Sequence, residues 1–348
     1  MKVLVTGATG FLGRHVVEAA VNRGHTVRAI VRPAGNAYAL DDIVECVRVD
    51  LRSQRGLVEA CRGVDAVIHC AAAKSGDFYA QFAGTVLATE NLLKAMTDAG
   101  VRHIVAISSL SVYDYKRLWS FSKLDESSAL ESHPRERDEY AQTKLLQEKL
   151  VRDFAQQNNW RCTILRPGVI FGKNNLWTAR LGIQGNKIWL RTGAHAKLPL
   201  TYVENCAQAI VTALESPAAD AAIFNVIDDD LPTQRQYAAE LKRRWPSRIR
   251  IIPIPWTVMR AIAGLADLTN KLIFKNRAKL PGLLIPARLH ARCKPLRFTS
   301  ERLKQATGWI PKYSWREALD RSMGIAVKTS TNAAPTASTA VAGAPVTG

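Results

Sequence analysis

The chain begins with a short apolar strand that leads directly into a loop with three glycines, Gly7, Gly10 and Gly13. Gly7 permits the tight turn out of the strand, Gly10 lets the backbone approach a phosphate, and Gly13 lets the following helix pack closely on the sheet. The free N–H groups and the positive dipole end of that helix attract an anion. The loop therefore predicts a site for the pyrophosphate of a dinucleotide.

Strands and helices alternate over the first half of the chain. After the first strand, the predicted strands cover 26–31, 44–49, 66–69, 103–107 and 162–165, and the predicted helices cover 11–21, 55–60, 78–99 and 136–157. Repeated βα units predict an α/β fold, a Rossmann-type doubly wound parallel sheet with a smaller C-terminal substrate lobe. Because the carboxyl ends of parallel strands meet at one edge, the loops there converge on one crevice. The residues expected at that edge, besides the glycine loop, are Arg32, Asp50, His69, Ser108 and Ser109.

Length and composition are those of a chain with one large core, or one core and a smaller lobe: 348 residues, of which 47% are hydrophobic. The six cysteines lie far apart, without a C-x-x-C spacing or nearby paired histidines. Neither a disulfide framework nor a metal site is therefore predicted. The N-terminus lacks the charged region and apolar core of a signal peptide, so we expect the protein in a reducing cytoplasm.

The predicted domain boundaries follow from where the alternation stops. We assign 1–170 to an NAD(P)-binding Rossmann domain, completed by about 200–227, and 171–199 with 228–326 to a substrate-binding lobe. The segment 327–348 is dominated by Thr, Ala, Pro, Ser and Gly without periodicity, which predicts a disordered tail.

The net charge of +18 is concentrated in the last third of the chain, where 19 Lys or Arg stand against 4 Asp or Glu between 241 and 321. Such an excess attracts an anionic substrate, an anionic membrane surface or a nucleic acid, or it forms a solvated basic face. No recognised nucleic-acid-binding motif accompanies the charge, so we expect no nucleic-acid partner.

Tyr140 and Lys144 stand four residues apart on a predicted helix and so share one face. A phenol ordinarily titrates at about pH 10, and a neighbouring ammonium favours the phenolate, so we expect Lys144 to lower the pKa of Tyr140. Such a phenol can serve as a general acid or base for an alcohol and its ketone. The alternative is a half-buried aromatic beside a solvated lysine. This is the only Tyr-x-x-x-Lys spacing in the sequence.

An ordered set of short motifs resembles the extended short-chain dehydrogenase/reductase family over about residues 1 to 325. The motifs are Thr6-Gly7-Ala8-Thr9-Gly10-Phe11-Leu12-Gly13, Asp50-Leu51, His69-Cys70-Ala71-Ala72, Ser108-Ser109 ahead of Val112-Tyr113, Tyr140-Ala141-Gln142-Thr143-Lys144 and Leu165-Arg166-Pro167-Gly168. The resemblance implies an enzyme with a nicotinamide cofactor. The sequence departs from the family at Thr85, where an Asn is usual, so the proton relay is expected to differ.

The resemblance also implies roles for individual residues. Ser109 aligns with the family's catalytic hydroxyl and would donate a hydrogen bond to the substrate oxygen, with Tyr140 and Lys144 completing the catalytic set. Lys144 would also hold the cofactor ribose, and Asp50 the adenine amino group. The expected cofactor-binding residues are Gly7, Thr9, Gly10, Phe11, Leu12, Gly13, Arg32, Asp50, Leu51, Ala71, Ala72, Tyr140, Lys144 and Pro167.

Arg32 bears on which cofactor is expected. At the end of the second strand an acidic residue would accept the ribose hydroxyls of NAD. The sequence Val31-Arg32-Pro33 instead places a guanidinium there, which can pair with the 2′-phosphate of NADP. We therefore favour NADP(H), with NAD(H) as the alternative if Arg32 stacks on the adenine or is simply solvated.

We expect a small-molecule substrate, which the C-terminal lobe selects. Thr201-Tyr202-Val203-Glu204-Asn205 looks like the 3β-hydroxysteroid and sterol dehydrogenase branch, which implies an oxidoreductase acting on a secondary alcohol or ketone. Two other functions stay open: a nucleotide-sugar epimerase or dehydratase using the same residues, and a non-catalytic nucleotide-binding scaffold or redox sensor. A homodimer is also left open.

The segment 252–274 has the pattern of an amphipathic helix with a narrow polar stripe. The stripe contains Thr257, Arg260, Asp267 and Lys271, and the apolar positions are Val258, Met259, Ile262, Leu265, Leu268, Leu272 and Ile273. Such a helix is a core element, a lid over an apolar pocket or an in-plane membrane anchor, so any peripheral membrane contact is expected through 252–275. A membrane-spanning helix is disfavoured by the central charges and by Pro253 and Pro255.

Overall fold

Seven parallel strands form the central sheet in the computed structural model of the chain, which describes residues 1–35, 40, 44–185, 187–244, 250–275, 277–278 and 280–325. The strands of all the sheets, in chain order, are β1 (Lys2–Thr6), β2 (Thr26–Val31), β3 (Glu45–Arg48), β4 (Ala66–His69), β5 (His103–Ile107), β6 (Lys123–Leu124), β7 (Arg161–Pro167), β8 (Val169–Phe171), β9 (Ile183–Gln184), β10 (Ile188–Thr192), β11 (Leu200–Tyr202), β12 (Ala222–Val226), β13 (Arg250–Ile254) and β14 (Arg297–Phe298). The order in the central sheet is β12-β7-β5-β4-β1-β2-β3, which confirms the predicted doubly wound fold.

Helices cover both faces of this sheet, and further helices pack outside it. They are α1 (Phe11–Asn22), α2 (Leu57–Cys61), α3 (Phe78–Phe82), α4 (Ala88–Asp98), α5 (Glu139–Gln157), α6 (Val203–Glu215), α7 (Gln234–Arg244), α8 (Trp256–Leu272), α9 (Pro286–Cys293), α10 (Glu301–Thr307) and α11 (Trp315–Ser322). Alternate residues of β1 point to opposite faces. Val3 and Val5 pack in one core with α1 and α6, whereas Leu4 packs in the other with α4 and α5.

The chain leaves β1 in the middle of the sheet and turns to β2 on one side, while β4 lies on the other. Loops that leave the carboxyl ends of these strands therefore run in opposite directions and leave a crevice between them, where such folds bind ligands. The crevice is where the sequence predicts the site.

Smaller sheets lie outside the central one. β8 pairs with β11, β6 with β14, and β10 with β13 and β9. A separate hydrophobic core, which includes the aromatic side chains of Phe171, Tyr237 and Trp315, contains residues of β8, β10 and β11. The domain boundaries given above stay a prediction, and the predicted tail at 327–348 lies outside the described residues.

Two predicted helices differ from the structure. The helix expected over 78–99 is interrupted by a π-helical turn, Ala83–Leu87, between α3 and α4. The amphipathic helix expected from 252 starts at Trp256, because Arg250–Ile254 forms an edge strand beside β10. Prolines lack the N–H that a helix interior or a central strand needs, so Pro253 is tolerated at the sheet edge and Pro255 just before the helix.

The six cysteines are free thiols. Within the described ranges, no three His, Cys, Asp or Glu side chains are grouped so that they could hold a metal ion. None of the helices in those ranges combines the length and apolar content needed to cross a bilayer.

Candidate active site

A cleft of about 620 Å³ opens at the carboxyl edge of the central sheet. Every residue predicted to be catalytic or to bind the cofactor lines this cleft, namely Gly7, Thr9, Gly10, Phe11, Leu12, Gly13, Arg32, Asp50, Leu51, Ala71, Ala72, Ser109, Tyr140, Lys144 and Pro167. His69, which was also expected at this edge, is buried and does not line the cleft. The ionisable side chains of Lys, Arg, Asp and Glu among the described lining residues are Arg32, Arg52, Lys74, Lys144 and Asp50. This excess of positive charge suits an anionic ligand such as a dinucleotide.

The glycine loop leaves no room for larger residues. Gly7 has a φ of +67°, and a Cβ placed on it would lie 2.9 Å from the backbone nitrogen of Ala71. A Cβ on Gly13 would lie 2.1 Å from the carbonyl oxygen of Gly7. α1 starts after Gly10 without a capping side chain from the described residues, so its first N–H groups are available to an anion. The loop fits the pyrophosphate of a nicotinamide dinucleotide.

Arg32 and Asp50 lie at one end of the cleft, beyond the carboxyl ends of β2 and β3. Arg52 donates to Asp50 through Nη2 and Oδ2 at 2.6 Å, and this hydrogen bond lowers the pKa of Asp50. The carboxylate therefore stays ionised and can accept hydrogen bonds from a ligand. The guanidinium of Arg32 is exposed and makes no hydrogen bond or ion pair within the described part of the chain.

Ser109, Tyr140 and Lys144 line the same cleft from two different elements. Ser109 follows β5, whereas Tyr140 and Lys144 lie one turn apart at the start of α5. Asp138 caps α5 by accepting a hydrogen bond from the Ala141 backbone at 3.0 Å, which fixes where the helix begins. The Ser109 side chain lies close enough to the Tyr140 phenol to act on its pKa. The fold thus brings together the hydroxyl, the phenol and the ammonium.

Tyr140 is protonated at neutral pH in this structure. Burial raises its pKa to about 12, although the Ser109 side chain acts to lower it. The expectation that Lys144 lowers this pKa was wrong, because burial raises it and the side chains that act on it are Ser109 and Asp138. The Lys144 ammonium donates instead to the carbonyl oxygen of Ile107 at 2.7 Å and to Gln147 Oε1 at 2.8 Å. Tyr140 is therefore set up to give a proton.

A buried polar chain holds Lys144 in place. Gln147, which accepts from Lys144, donates through Nε2 to Thr89 Oγ1 at 2.9 Å and lies 3.1 Å from His69 Nε2. Burial, followed by the charge of Lys144, lowers the pKa of His69 to about 3, so the imidazole is neutral. Burial, followed by the charge of Lys74, lowers the pKa of Lys144 to about 7. Small changes around Lys144 therefore alter its charge near neutral pH.

The model of the NAD dependent epimerase/dehydratase family matches residues 3–226, well over half of the chain. The chain belongs to this family. As the motifs predicted, the protein is an enzyme of the extended short-chain dehydrogenase/reductase type.

Two of its relatives match the chain over most of its length. It is 24% identical over 331 residues to an N-acetyl-alpha-D-glucosaminyl-diphospho-ditrans,octacis-undecaprenol 4-epimerase of Escherichia coli O157:H7, with 92% of this chain and 94% of the relative covered. It is 24% identical over 341 residues to a decarboxylating sterol-4-alpha-carboxylate 3-dehydrogenase of Mus musculus, with 92% and 90% covered.

The fold of the chain is also seen in solved structures. A UDP-glucose 4-epimerase of Thermus thermophilus in complex with NAD superposes with a TM-score of 0.67 at 22% identity, covering 93% of this chain and 99% of that one. The likeness supports the Rossmann-type architecture described above. The preference between NAD and NADP is a separate question, since it depends on side chains such as Arg32.

The sequence analysis missed several residues that line the cleft or support the residues there. Arg52 and Lys74 line the cleft, and Gln147 holds Lys144. Gln147 follows Lys144 by three residues, a spacing that places both on one helix face, so it could have been found. Thr85, the departure noted above, lies on the π-helical turn, and its hydroxyl accepts from the Ala73 backbone at 3.0 Å. No described hydrogen bond joins Thr85 to Lys144.

Proposed function

We propose that the protein is an NAD(P)-dependent oxidoreductase that interconverts a secondary alcohol and a ketone on an apolar, 3β-hydroxysteroid-like substrate. The observation that carries the proposal is that Ser109, Tyr140 and Lys144 line the same cleft as the glycine loop. A nicotinamide dinucleotide held on that loop would extend along the carboxyl edge of the sheet toward these three side chains.

Tyr140 is the proton donor in the direction of ketone reduction. Its pKa of about 12 keeps the phenol protonated, and the Ser109 hydroxyl beside it can donate a second hydrogen bond to the substrate oxygen. Both donors stabilise negative charge that develops on that oxygen. The bound nicotinamide supplies the hydride donor or acceptor and, when oxidised, a positive charge. In the reverse direction the phenolate form of Tyr140 takes the proton of the alcohol, and the positive charge of a bound oxidised nicotinamide would favour that form.

Lys144 acts as a positioning and electrostatic residue in this proposal. An ammonium has three donors, and two of them are taken by Ile107 and Gln147. The third is free for a ribose hydroxyl of the dinucleotide. Because the pKa of Lys144 is about 7, a bound anionic cofactor favours its charged form.

The sterol-like substrate is supported by the decarboxylating sterol-4-alpha-carboxylate 3-dehydrogenase among the relatives. It is also supported by the segment 201–205, although that segment does not line the cleft. Thr201 Oγ1 donates to the Val226 carbonyl at 2.6 Å, and Asn205 accepts from the backbone of Lys312 and Tyr313, each at 3.1 Å. These hydrogen bonds give the segment a structural role between strands and loops. Its sequence supports membership of the sterol dehydrogenase branch, and it is not expected to contact the substrate.

Turnover of a 3β-hydroxysteroid panel, followed at 340 nm with NADP and NAD, tests the proposal. We expect Tyr140→Phe and Ser109→Ala to reduce kcat by about 10² or more, while leaving the dissociation constant of the nucleotide within about threefold. Near wild-type rates in both variants would rule out the assigned roles.

A sugar 4-epimerase is the second candidate, because a relative matched over 92% of this chain is a 4-epimerase of a sugar joined through diphosphate to undecaprenol, which is a lipid and not a nucleotide. An epimerase restores its cofactor in every cycle and has no need to release it. Mass spectrometry of nucleotide from freshly purified, denatured protein separates the two. Near-stoichiometric nucleotide favours the epimerase, and empty protein that binds added NADPH or NADH reversibly favours the dehydrogenase.

A further inference from the structure

The outward side of α8 is an exposed apolar surface. With about 100° between successive residues, Val258, Ile262, Leu265, Leu268 and Leu272 fall on one side of the helix. All five are exposed, Leu265 by 66% and Leu272 by 72%. The exposed residues 273–274 continue the surface beyond the helix end. We call these positions the α8 apolar face.

A different side of α8 attaches the helix to the protein. Met259 and Ala263 are buried and pack with Leu289 of α9. Near the end of the helix, Asn270 donates to the Ala278 carbonyl at 3.2 Å and accepts from its N–H at 3.1 Å. The α8 apolar face is therefore not the side that packs on the core, and its exposure needs another explanation.

The segment that carries this face is strongly basic in sequence. Between 250 and 297 the sequence has ten Lys or Arg and one acid, Asp267, which pairs with Lys271 at 2.7 Å. Arg260 and Lys275 are exposed at the two ends of the helix. An apolar helix side in a segment this rich in cations suits the surface of an anionic lipid bilayer. There the apolar side chains contact the acyl chains, and the cations lie near the anionic headgroups. A second copy of this chain would instead bring two basic surfaces together.

We propose that the α8 apolar face docks on an anionic lipid bilayer, with α8 lying in the plane of the interface. The face is connected to the catalytic helix through α9. Trp256 of α8 packs edge-on against His290 of α9, with ring centroids 5.2 Å apart. Arg288 of α9 donates to the carbonyl oxygen of Arg137 at 3.0 Å, three residues before Tyr140. These two contacts link α8, through α9, to the segment that leads into α5.

Vesicle co-sedimentation of the full chain tests the proposal without depending on turnover. The vesicles are phosphatidylcholine alone or phosphatidylcholine with phosphatidylglycerol, at low and high salt. The variant is Leu265→Glu with Leu272→Glu. The control is Ile310→Glu, since Ile310 is equally exposed, at 71%, and lies beside α1 on another surface. Circular dichroism and thermal melting establish that each variant is folded.

We expect wild type and Ile310→Glu to bind anionic vesicles and the double variant to bind at least about tenfold more weakly, with the wild-type binding falling in high salt. The proposal is overturned if wild type stays in the supernatant, if it binds neutral and anionic vesicles equally, or if the folded double variant binds as wild type does. Loss of an oligomer in the double variant, without vesicle binding by wild type, would show that a second copy covers the face.

Discussion

Tyr140 and Lys144 share one face of α5, yet burial moves their pKa values in opposite directions, each toward the neutral form. The pKa of Tyr140 rises to about 12, and that of Lys144 falls to about 7. Removing a charged group from water disfavours the charged form of any side chain, whichever its sign. The catalytic proton therefore resides on the phenol, and the charge state of Lys144 is adjustable near neutral pH.

The side chain of Arg32 gives a prediction about the preference for NADPH over NADH. Its guanidinium makes no hydrogen bond or ion pair with the described residues, so it can pair with a 2′-phosphate. Arg32→Asp should therefore raise the KM for NADPH by at least about tenfold while changing the KM for NADH much less. Steady-state kinetics with both nucleotides measure the ratio. Arg55→Asp is the matched control, because Arg55 is also exposed but does not line the cleft. An unchanged ratio would exclude Arg32 as the determinant.

At the scale of elements, a buried ion pair fixes α5 against the central sheet. Glu148 of α5 pairs with Arg166 of β7, whose Nε donates to Glu148 Oε2 at 3.0 Å. The Ser108 hydroxyl donates to the same carboxylate oxygen at 2.6 Å, and both charged residues are almost fully buried. The pair therefore ties the helix that carries Tyr140 to the strands at the cleft.

Breaking this pair leaves a buried charge unpaired. Glu148→Ala should lower the free energy of unfolding by about 3–5 kcal/mol, measured by urea denaturation. Lys149→Ala is the control. Its ion pair with Asp153 is exposed, so we expect a change within about 0.5–1 kcal/mol. Equal effects of the two substitutions would show that the buried pair does not fix α5.

The elements that the sequence predicts well are those with a strong local pattern. The continuous apolar strands and the glycine loop identify the sheet and the crevice, because β1, β4 and β5 are buried on both faces. The π-helical turn at 83–87 and the edge strand at 250–254 have no such pattern, since tertiary contacts decide them. The partners of Lys144 depend on which way its ammonium turns, and helix spacing alone does not give that direction.

At the scale of the whole molecule, burial of histidines couples folding to pH. Burial lowers the pKa of His69 to about 3 and those of His103 and His290 to about 4, against about 6.5 in an unfolded chain. Below pH 6.5 the unfolded chain therefore binds more protons than the folded one. Their contribution to stability is complete above that pH and is lost as the pH falls toward 4.

We therefore expect the free energy of unfolding to decrease from pH 6.5 to pH 4, by about 1 kcal/mol per pH unit for each such histidine. Urea denaturation at several pH values measures the slope. His103→Gln removes one of the three groups and should make the slope shallower while the stability above pH 7 changes little. A slope identical to wild type would show that His103 does not titrate on unfolding.

We expect the cleft to bind one nicotinamide dinucleotide on the glycine loop. Calorimetric titration with NADPH and NADH measures this binding and its stoichiometry. We expect wild type to bind one equivalent. Gly13→Ala, checked for folding by circular dichroism, should bind neither nucleotide, because its Cβ would lie 2.1 Å from the Gly7 carbonyl oxygen. If the wild-type protein binds neither nucleotide, or if folded Gly13→Ala binds as tightly as wild type, the glycine loop is not the nucleotide site.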